Sequence, residues 1–373
     1  MLYTNALLFT ADRGFVPGGF TVENGRFTEL FFDDRRGGID LGGALVLPGL
    51  VDAHTHGAMG ADFSDGDSDG LRRMGEYLAA NGVTSFAPTS MTLPYETLSA
   101  AFETGLSLRK ARPARCARVA GIHMEGPFFS EKKKGAQNGA YLRLPDFEAF
   151  RKLYEGCEGL VRIVDVAPEL PGAADFAREA SRLCTVSVAH TDANYEETSA
   201  VYEAGATHLT HLYNAMPSIH HRKPGVIGAA SERKWVTAEL ICDGLHVHPS
   251  SVRMAFKLFP GRICLISDSL RCCGMPDGEY ELGGQQVYLQ GGVARLADGT
   301  IAGAASNLFR DLQNAVSFGI DRNTAILAAT LTPARELGRA DEIGAIAPGL
   351  YADFLVCDEE LNLLQVYLNG EKL

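Results

Sequence analysis

The middle of the chain repeats one pattern. A short apolar run ends on a polar residue, and a segment with helical spacing follows. The runs are "ALVLPGLVDAHTH", ending at His56, "VTSFAPTS", ending at Ser90, and "RVAGIHMEGP", carrying Glu125. Then come "VRIVDVAPE" with Glu169, "TVSVAHTD" with His190, "ATHLTHLYN" with His211, "WVTAELICDG" with Asp243 and "RICLISDS" with Asp268. Intervening segments such as "DGLRRMGEYLAANG", "PYETLSAAFETGLSLRK" and "AADFAREASRLC" place apolar residues at a period of about 3.6. Asp, Ser or Pro marks their starts, and Gly several of their ends. Eight such units predict an α/β fold, a (β/α)8 barrel of the TIM type. The strands are nearly continuous apolar runs, as expected where helices cover the sheet.

The two ends differ from the middle. "NALLFT", "GGFTVENGRFTELF" and "RRGGIDLGG" are short β-like pieces, with "ENG" as a hairpin turn, and the tail "IGAIAPGLYADFLVCDEELNLLQVYLNGEKL" has the same style. The expectation is a small β-sandwich built from residues 1–47 and 345–373, with the barrel of residues 48–344 inserted between them. After the eighth run, residues 274–300 predict a β-hairpin excursion from the barrel. No tandem repeat or low-complexity tract stands out.

At 373 residues the chain has room for one large domain with an appendage. A net charge of −12 argues against a nucleic-acid binder, and an anionic substrate would need a local basic patch. The eight cysteines form no CxxC pair and several lie in apolar runs, which predicts reduced, mostly buried thiols in a cytoplasmic protein. Tandem Cys272–Cys273 is read as structural. The start has no basic stretch leading into an apolar one, and no run approaches ~18 apolar residues, so neither a signal peptide nor a membrane span is expected.

In such a barrel the active site lies at the C-terminal ends of the strands. Those ends supply His54, His56, Glu125, His190, His211 and Asp268. Taken alone, an H-x-H, a strand-end carboxylate or a histidine before a helix is an ordinary polar residue. Converging on one rim, they make a metal site of nitrogen and oxygen ligands. His54 and His56 share a strand face. His208 and His211 differ in strand parity, so only one of them is expected to face the barrel axis. Asp268 ends a fully apolar strand, where an unpaired carboxylate would be costly.

The chain resembles the amidohydrolase superfamily, and within it the N-acetylglucosamine-6-phosphate deacetylases. The matching stretches are "LPGLVDAHTHG", "GIHMEGPFFSEKKKGAQN", "VAPE", "AHTDA", "THLYNAMPSIHHRKPGVIGAA", "ICDGLHVHP", "LISDS", "GMPDGEY" and "GAIAPGLYADFLV". They run in order along nearly the whole barrel, and "HLYNAMP" with "DGLHV" and "GMPDGEY" is far more specific than H-x-H. The resemblance implies hydrolysis of the acetamide of a sugar phosphate to acetate and the free amine. A metal-activated water would be the nucleophile, and Asp268 the general base and then acid.

The same resemblance implies a metal held by Glu125, His190 and His211, with zinc first and iron, manganese or cobalt as alternatives. Glu125 stands where many amidohydrolases use a carboxylated lysine, so no lysine modification is needed. Family members with Gln-x-Asn in place of H-x-H hold one metal, and members that keep both histidines can hold two; with His54 and His56 the resemblance implies one or two divalent metals per subunit, the second bridged by Glu125. For the substrate, the resemblance implies contacts from Asn214, Ala215 and His246, and a phosphate contact from Arg222 in the basic loop "HHRKPG", residues 220–225. That loop can reach a neighbouring subunit's site, which implies a homodimer. Gln137 stands where some members have a substrate-contacting histidine; it can hydrogen-bond but cannot carry a proton. The stretch "AGAASNLF", with Leu308, departs from the family pattern where the acetyl pocket is expected. The alternatives are the galacto epimer as substrate, another amidohydrolase such as a cyclic-amide hydrolase, and a non-catalytic sugar-phosphate sensor.

Overall fold

The computed structural model describes residues 1–33, 35 and 37–373. The eight apolar runs become Leu50–Thr55, Val83–Ser90, Ile122–Met124, Val161–Val166, Thr185–Val188, His208–Leu209, Thr237–Ile241 and Ile263–Ile266. Neighbours pair in parallel around the ring. The first and last strands meet through Asp268 N, which donates to the His54 carbonyl at 2.9 Å. Ser267 Oγ also donates to Asp52 at 2.6 Å.

Helices fill the connections, among them Ser68–Ala80, Tyr95–Ala111, Ala173–Ala180, Tyr195–Glu203 and Pro249–Leu258. Their starts are capped as the sequence suggests. Asp67 accepts from Asp69 N, and Asn194 with Glu197 forms a capping box. Phe86, Phe102, Phe150 and Phe259 are fully buried between strands and helices. A second apolar cluster joins strands around the ring through Val51, Ala87, Ile163, Ile241, Cys264 and Ile266.

The chain ends form one eight-stranded sheet in the order Glu371–Lys372, Leu363–Leu368, Phe354–Cys357, Leu45–Pro48, Leu2–Thr10, Gly14–Glu23 and Arg26–Phe31, with Ile39–Asp40 beside Leu2–Thr10. Leu45–Pro48 and Phe354–Cys357, from opposite ends of the sequence, pair antiparallel at its middle. Asn24 and Gly25, at φ 52° and 75°, make the two-residue hairpin turn. The sandwich arises because this single sheet doubles over. Phe20 and Phe354, from its two halves, have ring centroids 4.9 Å apart, and Tyr3, Phe27 and Tyr367 complete the aromatic core.

The excursion after the eighth strand is a four-stranded antiparallel meander, Gly278–Leu282, Gln285–Gln290, Val293–Leu296 and Ile301–Ala304. It runs past residue 300, where the sequence reading ended it. The last strand comes back to the barrel: Ala304 N donates to the Asp268 carbonyl, and Leu270 N to the Ala304 carbonyl, both at 2.9 Å. All eight cysteines are free and seven are buried, Cys272 and Cys273 included. Among the described residues, no helix is long and apolar enough to cross a membrane.

Candidate metal centre and active site

Six strand-end side chains meet at the C-terminal mouth of the barrel. They form two clusters of three, Glu125 with His190 and His211, and His54 with His56 and Asp268. Glu125 joins the two. Its Oε1 lies 3.1 Å from both His190 Nε2 and His211 Nε2, and its Oε2 lies 3.3 Å from His56 Nε2. Asp268 Oδ1 is 3.3 Å from His56 Nε2 and 3.5 Å from His54 Nε2.

The backbone brings these groups together by leaving strand geometry. His190, His211 and Asp268 have φ of 44°, 29° and 47°, a region costly for residues with a side chain. Each turns off its strand end and aims its side chain into the mouth. Glu125 is followed by Gly126 at φ 92°, where a Cβ would run into the side chain of Thr92. Glycine therefore lets the chain turn immediately after the carboxylate that both clusters share.

Strand parity does not separate His208 from His211, for the same reason. His208 points into the barrel from its strand, with Nε2 3.1 Å from Glu239. His211 also points inward, because the strand has ended at Leu209 and the backbone has changed hand.

The donor set fits a divalent cation. His190 Nε2 and His211 Nε2 face each other at 3.1 Å, and His54 Nε2 and His56 Nε2 at 3.3 Å. Three of these rings direct Nδ1 to an acceptor: His190 to Lys133 O, His56 to Thr89 O and His54 to Glu239. A ring that donates through Nδ1 presents a lone pair at Nε2. At His54 and His56, two lone pairs this close need a cation or a proton between them.

The charges agree. Burial would raise the Glu125 carboxyl, but hydrogen bonds from His190, His211 and His56 hold it well below the usual carboxylate range. Burial would lower His211, yet its bond to Glu125 pushes it up to about 9. The site therefore attracts positive charge at its centre.

Around this centre, Met91, Gly135, Ala136, Gln137, Asn214, Ala215, His246 and residues Thr300–Gly303 of the meander line one cavity. His246 is braced by Asp243, whose Oδ2 lies 2.6 Å from its Nδ1. Gln137 reaches the centre rather than pointing only at open space: its Nε2 donates to Glu125 Oε2 at 2.6 Å. Leu308 does not line the cavity. It is fully buried in the helix–strand core at the start of Leu308–Ser317, whereas Ala302 and Gly303 of the same stretch line the cavity. Arg222 also lies outside the lining, exposed on its loop with its guanidinium against His221.

Beneath the six residues lies a buried polar layer that the sequence reading missed. His54 Nδ1 is 2.9 Å from Glu239, and His123 Nε2 is 2.9 Å from Asp165, all four fully buried. A signal was present. A charged residue in the middle of each apolar strand, as in "TAELI" and "VRIVDV", has no reason to be there unless a partner meets it inside.

Residues 45–373 match the model of the Amidohydrolase family. The chain belongs to this family. The amidohydrolase is 37% identical over 333 residues to the N-acetylglucosamine-6-phosphate deacetylase of Bacillus subtilis (strain 168), covering 88% of this chain and 84% of that one. It is 35% identical over 329 residues to the N-acetylgalactosamine-6-phosphate deacetylase of Escherichia coli O157:H7, covering 88% and 87%. Among solved structures, the N-acetyl-D-glucosamine-6-phosphate deacetylase of Mycobacterium smegmatis, a mutant in complex with N-acetyl-D-glucosamine-6-phosphate, superposes with a TM-score of 0.93 at 33% identity, covering 100% of this chain and 98% of that one. In this amidohydrolase the two histidine–carboxylate clusters occupy the C-terminal mouth, where barrels of this type carry their active sites.

Proposed function

We propose that this amidohydrolase removes the acetyl group from N-acetylglucosamine 6-phosphate, giving glucosamine 6-phosphate and acetate. The observation that carries the reading is Glu125, grouped with His190 and His211 and 3.3 Å from His56 of the His54, His56 and Asp268 group, with Asp268 lining the same cavity. The full-length likeness to deacetylases of acetylated amino-sugar phosphates supports the substrate class.

Glu125, His190 and His211 would hold one divalent cation, and His54 and His56, beside Asp268, a second; zinc suits this nitrogen-rich set best. Such a cation lowers the pKa of water and polarises an acyl oxygen. Asp268 does the proton work. It takes a proton as water adds to the carbonyl carbon and delivers it to the nitrogen as the C–N bond breaks, so the amine departs neutral. His246, held by Asp243, and Asn214 orient the sugar. Arg222 is assigned to the phosphate. Since it stands outside the cavity of its own chain, this assignment goes with a homodimer in which the 220–225 loop serves the neighbouring site. Eight free thiols support the cytoplasm as its compartment.

A second reading keeps the chemistry and changes the sugar. The 35% identity to an N-acetylgalactosamine-6-phosphate deacetylase favours it as a rival. Acetate release from both epimers and from unphosphorylated N-acetylglucosamine decides between them. The gluco phosphate is expected to be the best substrate by kcat/KM. A better galacto phosphate replaces the proposal with its rival, and equal rates with and without phosphate remove the role of Arg222.

A further inference from the structure

We propose that Glu239 is a positioning residue of the metal centre, fixing His54 as an Nε2 ligand and tying its cluster to that of His211. Glu239 lies in Thr237–Ile241 and is fully buried. Both carboxylate oxygens are engaged. Oε2 accepts from His54 Nδ1 at 2.9 Å and from the backbone N of His211 at 3.2 Å. Oε1 lies 3.1 Å from His208 Nε2. His208 is held from its other side by Glu336 Oε2, 2.9 Å from its Nδ1.

Two consequences follow from these contacts. With Nδ1–H committed to Glu239, His54 turns its Nε2 lone pair toward His56, Asp268 and Glu125. A carboxylate on the far nitrogen also makes the imidazole a stronger donor. The same oxygen pins the peptide of His211, so one side chain sets a ligand in each cluster. His208, held by Glu336, acts below it as a brace, since it touches Glu239 and not the centre. This inference rests on reading the mouth as a divalent-metal site and not on the choice of sugar.

The test is zinc binding to the metal-stripped full chain, measured by competition with a chromophoric chelator and without substrate. Glu239→Gln keeps the size of the side chain and can still accept from His54 and His211, so it removes mainly the charge. It is expected to weaken the less tight zinc step by about 10–100-fold. His208→Gln leaves the His54 contact in place and is expected to lower thermal stability with both zinc steps within about twofold of wild type. Wild-type zinc affinity in a folded Glu239→Gln protein overturns the proposal, as does an equal loss in His208→Gln.

Nitrogen NMR of His54 in the wild-type protein, assigned by His54→Asn, gives a second reading that needs no folded Glu239 variant. The expected form carries its proton on Nδ1, and a proton on Nε2 overturns the proposal. Failure of the deacetylase reading would appear in acetate release and leave these zinc and NMR results unchanged.

Discussion

Gln137 donates through Nε2 to Glu125 Oε2 at 2.6 Å, while its own oxygen accepts from the backbone N of Thr92 at 2.7 Å. The amide is used at both ends, and only a group that is donor and acceptor at once can fill this place. It holds the carboxylate on which both clusters depend. Gln137→Leu leaves a buried N–H and a carboxylate oxygen without their partner. Turnover is expected to fall about 10–100-fold, with weaker metal retention. Steady-state kinetics alongside metal analysis checks this; unchanged values in both would mean that Glu125 is fixed by its histidines alone.

Asp268 is expected to be indispensable to turnover. Asp268→Asn keeps the shape beside His56 and removes the base, so acetate release should drop by at least about 10²–10⁴-fold. A metal proposed at Glu125, His190 and His211 should remain, because Asp268 belongs to the other cluster. Near-normal acetate release from this variant would end the proton-transfer role.

Chelation should remove activity and stability together. A cation bound by the native clusters and not by the unfolded chain would, at a hundred times its dissociation constant, add about 2.7 kcal/mol. Calorimetric Tm is expected to fall on stripping and to return with zinc. A Tm indifferent to zinc would argue against binding at this centre.

Gly126→Ala should damage the site through the backbone. At φ 92° an alanine is strained, and its methyl meets the Thr92 side chain. A cost of about 1–3 kcal/mol is expected, with activity lost through displacement of Glu125. Chemical denaturation of the metal-free variant measures the first effect and kcat the second.

Asp52 gives a pH signature. Burial pushes its carboxyl up to about 7, against the lowering effect of hydrogen bonds from Ser267. An unfolded aspartate titrates near ~3.9, so the folded state binds the extra proton. The stabilising contribution is therefore complete at acid pH and is lost as pH rises through about 7. The Tm of metal-free wild type minus that of Asp52→Asn should decline from pH 5 to pH 8. A constant difference would mean that Asp52 does not titrate in this window.

The sequence by itself determined the strand–helix alternation, the barrel it implies, the sheet made from both ends and the six residues at the strand ends. These follow from short-range chemistry, since apolar period, caps and turns are written locally. The tertiary structure alone decided which groups touch. His208 and His211 could not be sorted by parity because the left-handed turn at His211 breaks the strand register. Glu239, mid-strand in an apolar run, acquires its role only when the ring brings His54 and His208 to its two oxygens. Leu308 and Ala302 are near neighbours in sequence, yet one packs in the core and the other lines the cavity. The physical reason is closure of the barrel. Contacts across the ring join residues far apart in the chain, and no local pattern encodes their distances.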